Sequence, residues 1–169
     1  MKWLIQFWQI SVLVKHTLCN TQKLFMRQRN EKDFLRYDVI IRLLAVENYY
    51  NRNDYGWALY EKLREHQLKT TNVKNEIILF VDLIKSMEIH GFDSKSEIYI
   101  DKHFRLVNGS HRLALALYHK YNTIPCRIIR QKANADYSIR RLIEFDFTQE
   151  EIDCILNRYR ALQKDISLD

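Results

Sequence analysis

The sequence predicts an α+β fold, and three observations carry that prediction. Apolar residues recur at helical spacing over residues 34–50 and 73–90. The period then changes to the short alternating stretches of strands at 97–107 and 124–129. Finally, Thr148-Gln-Glu-Glu151 forms an S/T-x-x-E capping box ahead of a last apolar stripe.

Residues 1–14, MKWLIQFWQISVLV, have a basic start and an apolar run. About a dozen residues are too few to span a bilayer as a helix, which takes ~20. On a helix Trp3, Phe7, Ile10 and Val14 share a face. Three readings stand: a helix in a membrane interface, a helix or strand docked on the core, and an export signal. Phe34 to Tyr50 is a helix, with Phe34, Tyr37, Ile41, Leu44 and Asn48 on one stripe and Asp38 and Arg42 paired at i,i+4 on its surface. Residues 51–56 are turn chemistry, with Gly56 suited to positive φ. A shorter helix runs from Trp57 to Gln67. A third spans Val73 to His90, stopped by Gly91.

Glu97 to Asp101 reads as a strand, Lys102-His103 as a tight turn and Phe104 to Val107 as a second strand. Asn108-Gly109-Ser110 opens a helix from His111 to about Lys120, and Ile124 to Ile129 is a third strand, with Pro125 tolerated near its start. Residues 138–145 are helical. The capping box starts the last helix, which reaches about Gln163 with Ile152, Ile155, Leu156, Tyr159 and Leu162 inward.

No stretch rich in Pro, Gly or Ser divides the 169 residues, so 31–169 reads as one domain and 1–30 as a basic, aromatic segment before it. Three Cys without a C-x-x-C pair suit a reducing, cytoplasmic setting and simple packing. The net charge of +6 is uneven. Residues 1–30 hold five Lys and Arg and no acid, which leaves 22 basic against 21 acidic side chains elsewhere. Specific DNA binding is therefore poorly supported, whereas 1–30 suits a membrane surface. Asp101, His103 and His111 do not have zinc-site spacing, and no carboxylate cluster suggests a two-metal nuclease.

The informative segment is Leu106-Val-Asn-Gly-Ser-His-Arg-Leu-Ala114. A strand enters a Gly turn that opens at once into a helix, whose first N–H groups lack intrahelical partners and carry partial positive charge. Gly109 allows close backbone approach, Ser110 adds a hydroxyl, and His111 and Arg112 add donors. This is either a phosphate cradle or a capped helix with an incidental His-Arg pair.

Leu83-Ile-Lys-Ser-Met-Glu88, His90-Gly-Phe-Asp93, Ile98-Tyr-Ile-Asp101, Leu106 to Arg112 and Ile124-Pro-Cys-Arg-Ile128 together resemble the ParB/sulfiredoxin superfamily in order and spacing, over residues 80–129. The resemblance implies a small mixed sheet with flanking helices, a helical layer before it and a helix after. It also implies a nucleotide (ATP, ADP or CTP) held at Asn108, Gly109, Ser110, His111 and Arg112. Ser110 stands where sulfiredoxin has its attacking Cys, which argues against sulfinic-acid reduction. The chain lacks the length for the DNA-binding parts of ParB. The motif is most similar to the small-molecule kinase branch, although Asn108 replaces that branch's Asp.

The expected function is phosphoryl transfer from a nucleotide to a hydroxyl of a small molecule or saccharide. The alternative is a non-catalytic or CTP-switching module that binds a partner or DNA. Transfer needs a base, for which Glu47, Asp38 or Asp54 are candidates, with His111 at the phosphates. Mg²⁺ would take oxygen ligands such as Asn108. Arg42, Asn53 and Asp54, outside the resembling run, are candidates for binding the acceptor.

Overall fold

The computed structural model describes residues 15–70, 72–92 and 96–168. The helix-face reading of Trp3, Phe7, Ile10 and Val14 lies outside them, as does Asp93. Eleven elements follow in order: β1 (Lys15–Asn20), α1 (Thr21–Met26), α2 (Tyr37–Tyr49), α3 (Gly56–Leu68), α4 (Lys74–His90), β2 (Ile98–Ile100), β3 (Leu106–Asn108), α5 (Ser110–Tyr118), β4 (Thr123–Ile128), α6 (Ile139–Glu144) and α7 (Gln149–Leu168). The architecture is α+β: a mixed four-stranded sheet, in the order β1-β4-β2-β3, with flanking helices. β2 runs parallel to β4, and the other two pairings are antiparallel.

One face of the sheet is buried. Cys19, Ile98, Ile100, Leu106, Ile124 and Cys126 point inward, while Leu18 and Tyr99 on the opposite face stay exposed. That is the period-2 alternation of a one-sided sheet. α2 is the axis of the core. Every residue from Tyr37 to Val46 is buried, and the helix packs against α3, α5 and α7. A helix enclosed on all sides needs no narrow stripe, which is why its apolar residues spread around the axis.

Gly56 opens α3 with no positive φ, contrary to the expected turn role. Its requirement is space. A Cβ there would lie 2.0 Å from the carbonyl oxygen of Leu44, so a glycine is what allows α3 to start against the backbone of α2. The hairpin also differs from expectation. Its turn spans Asp101 to Arg105, with Phe104 at φ 60°, and Asp101 Oδ1 accepts from the N–H groups of His103 (2.8 Å) and Arg105 (2.9 Å). β3 therefore starts two residues later than predicted. The capping box forms as read, with Thr148 Oγ1 accepting from Glu151 N–H and Glu151 Oε2 accepting from Thr148 N–H.

The boundary at residue 30 is corrected. Residues 15–30 are built into the domain: β1 pairs along its whole length with β4, and Leu24 and Phe25 lie in the core. Gln28 is buried too, donating to the carbonyls of Leu24 (2.7 Å) and Phe104 (3.0 Å) and accepting from Leu106 N–H (2.8 Å). Among the described residues, no helix is long and apolar enough to cross a membrane.

Candidate functional site

The start of α5 is fixed by its glycine. Gly109 has φ +108°, and a Cβ on it would lie 3.0 Å from Ile98 Cγ1. Conformation and space both demand glycine, but the close approach is to β2 and not to a ligand, because Gly109 is buried. No side chain of the Gly109 cap serves the first turn of α5, so the helix presents uncapped N–H groups there.

Beside this turn lies a buried polar network that sequence spacing did not reveal. Arg36, just before α2, donates from Nε and one terminal nitrogen to the two oxygens of Asp38 (2.7 and 2.9 Å). It also donates to the Leu106 carbonyl (2.9 Å) and to Ser110 Oγ (2.7 Å). Arg42 adds a bond to Asp38 (3.0 Å) and reaches Gln67, which also accepts from Arg64. Arg64 in turn pairs with Glu76. The expected surface pair Asp38–Arg42 is thus corrected: both residues are buried, and Arg36 completes a two-cation clamp on one carboxylate. Burial raises the proton affinity of Asp38, but the charges of Arg36 and Arg42 and the Arg36 hydrogen bonds outweigh it, so its carboxyl titrates below its ordinary value. Held in this way Asp38 is a counterion, not a base.

His111 turns inward. Its Nε2 lies 2.9 Å from the Tyr60 hydroxyl, and its ring packs edge-on against Phe80 at 4.5 Å. Burial, then the charges of Arg42, Arg64 and Arg112, push its pKa well below the usual histidine value, and the ring stays neutral. It therefore brings no charge to a phosphate, contrary to the expectation from the His111-Arg112 pair. Arg112 takes the other direction. One terminal nitrogen donates to the Glu97 carbonyl (3.3 Å), and its buried Nε has no partner among the described residues. The side chain lines a cleft of about 320 Å³ between the end of α4 and the start of β2, with Ser86, His90 and Ser96 on the polar side.

The remaining candidates lie elsewhere. Glu47 is nine residues beyond Asp38 on α2, roughly 13 Å along the axis, where it accepts from Arg158 Nε at 2.7 Å. It lines a second cleft of about 650 Å³ with Arg52 and Lys120. Asn53 is spent on its loop: Oδ1 accepts from the N–H groups of Tyr55 and Gly56, and Nδ2 donates to the Leu44 carbonyl. Asp54 is exposed on that loop, and Asn108 is exposed at the end of β3. Among the described residues no three His, Cys, Asp or Glu gather as a metal-holding group.

The turn brings together Ser110, Arg112 and Arg36, while Glu47, Asn53 and Asp54 sit apart from it. Ser86 was within reach of sequence reasoning, since it stands in the resembling run Leu83 to Glu88. Arg36 begins the polar stretch among apolar neighbours that runs on through Asp38, Arg42 and Glu47, whereas nothing local marks Tyr60 or Arg64. No family model, characterised protein or solved structure matches the chain.

Proposed function

We propose that this chain is a nucleotide-binding domain whose ligand sets its phosphates against Arg112 and the uncapped start of α5. The carrying observation is the lining of the Arg112 cleft. It holds a permanent cation with an unpartnered buried donor, two serine hydroxyls and no carboxylate. Such a surface favours an anion on electrostatic and hydrogen-bonding grounds. Leu83, Met87 and Phe92 add apolar lining to the same cleft and offer an aromatic ring to a base or ribose. A volume of about 320 Å³ is at the small end of ligand pockets.

The proposal is confined to binding. Phosphoryl transfer would need a base beside the acceptor hydroxyl, and Asp38 and Glu47 are both engaged by arginines away from this cleft. Calorimetric titration with ATP, ADP and CTP tests the reading. At least one is expected to bind, and Arg112→Ala to weaken it about 30-fold, the worth of one charge-assisted contact of ~2 kcal/mol. Equal affinity in Arg112→Ala, with the fold intact, overturns the assignment. Consumption of the nucleotide with a hydroxyl acceptor present, abolished in Glu47→Gln, would restore the transferase reading instead.

A further inference from the structure

The fold covers little of α4. Of its 17 residues it buries Phe80, Ile84 and Met87, all on one side, whereas α2 buries an unbroken run from Tyr37 to Val46. The opposite side is not polar: Ile78, Leu79 and Ile89 are 56%, 63% and 75% exposed. With 3.6 residues per turn, Ile78, Asp82, Lys85 and Ile89 fall in a sector of roughly 60° that faces away from the three buried side chains, and Leu79 flanks it. Exposed apolar residues scattered singly need no explanation, but these share one stripe with two charges set between them.

The stripe is spaced at intervals of 4, 3 and 4 residues, the alternation of the a and d positions that line a coiled-coil seam. It is apolar at both ends and charged in the middle. Among the described residues neither Asp82 nor Lys85 has an ion-pair partner. The order also complements itself on reversal. Where two copies of α4 lie antiparallel about a two-fold axis between positions 83 and 84, Ile78 of one meets Ile89 of the other and Asp82 meets Lys85, each pair occurring twice. A parallel pairing would set Asp82 against Asp82 and Lys85 against Lys85, which like-charge repulsion disfavours.

We infer that the exposed face of α4 is a self-association surface, on which a second copy of this chain docks antiparallel through Ile78, Asp82, Lys85 and Ile89. A stripe that matches its own reverse in both apolar and charged positions selects an identical partner. Two helices of this length meet over about 25 Å, and one such seam falls below the ~800 Å² per partner of a standard interface. The dimer is therefore expected to be weak, with a dissociation constant on the order of 100 μM. α4 also lines the Arg112 cleft, but through Leu83, Ser86, Met87 and His90. The association neither uses nor requires the nucleotide reading.

Sedimentation velocity of the full chain, in a concentration series that reaches about 1 mM, tests this. The parent should shift from monomer towards dimer along the series. Ile89→Glu, at an exposed position, should hold the chain monomeric throughout while melting as the parent does. Asp82→Lys and Lys85→Asp should each weaken self-association about ten-fold, because both central pairs become repulsive. Mixed in equal amounts, these two variants should associate with each other at least as well as the parent does with itself, since one then presents two cations and the other two anions. A parent that remains monomeric to the end of the series overturns the proposal, whatever else its α4 then binds. Unchanged self-association of Ile89→Glu overturns it as well, by placing the contact elsewhere. So does a failure of the mixed variants to associate, which would exclude the antiparallel register.

Discussion

Asp38 carries the strongest local constraint in the chain. Its carboxylate is the counterion of two buried arginines, so removing its charge leaves both uncompensated in a low-dielectric interior. Asp38→Asn is expected to cost about 3–5 kcal/mol in chemical denaturation, the range for breaking a buried pair on one side. A loss below about 1 kcal/mol would mean that water or rearrangement satisfies the arginines. His111 acts in the opposite sense. Its folded-state pKa lies well below the ordinary value near 6.5 because of burial and three neighbouring cations. At neutral pH both folded and unfolded states hold the ring neutral. As pH falls below about 6.5 the unfolded chain takes up a proton that the folded one refuses, so stability drops by up to ~1.4 kcal/mol per pH unit. His111→Gln should remove that part of the pH dependence when stability is followed from about pH 7 to pH 5. If the variant's stability falls over this window as steeply as the parent's, the acid sensitivity originates elsewhere.

At the scale of elements, the contact that sets the helical layer is α2 against α3. The first residue of α3 touches the Leu44 carbonyl so closely that a single methyl must move one helix. Gly56→Ala is therefore expected to cost about 3 kcal/mol or more, the upper end for overpacking, read as a lower midpoint in urea at unchanged slope. A neutral result would show that α3 can begin one residue later. Elements with strong internal periodicity were legible in the sequence: α2, α3, α4 and β4 fall within a few residues of their expected bounds, while α7 starts as expected and runs on past Gln163 to Leu168. β1 was not legible. Lys15-His-Thr-Leu-Cys-Asn20 lacks clean alternation, because Leu18 faces outward while Cys19 packs inward. It is a strand because β4 offers an unpaired edge, and local spacing cannot report that. The site was legible in a similar measure. Gly109 to Arg112 stood out as a strand–glycine–helix junction, yet the direction of the side chains from Ser110 to Arg112 depends on partners fifteen or more residues away. Tyr60 and Phe80 draw His111 inward. The end of α4 supplies the cleft for Arg112, and Arg36 takes up Ser110.

For the whole molecule, the uneven charge acquires a structural meaning once residues 15–30 are part of the domain. They bring Lys15, Lys23, Arg27 and Arg29 to its surface, and also Cys19, Leu24 and Phe25 to its core. They cannot be treated as a detachable basic tail. Burial of the Leu24 and Phe25 side chains contributes about 1.5–3 kcal/mol each, and loss of β1 uncovers the edge of β4 with Ile124 and Cys126 behind it. Gln28 adds three hydrogen bonds, two of them to the β2–β3 hairpin. Set against a total stability of about 5–15 kcal/mol for a domain, these losses are enough to abolish folding. A chain beginning at residue 31 is expected to lose its cooperative thermal transition and its near-ultraviolet circular dichroism. Phe25→Ala in the full chain isolates one component, expected at about 3–5 kcal/mol for a buried aromatic. If the shortened chain melts cooperatively near the parent's midpoint, then β1 and α1 only decorate a core that is complete without them. The cationic surface would in that case be a separable attachment and not a face of the fold.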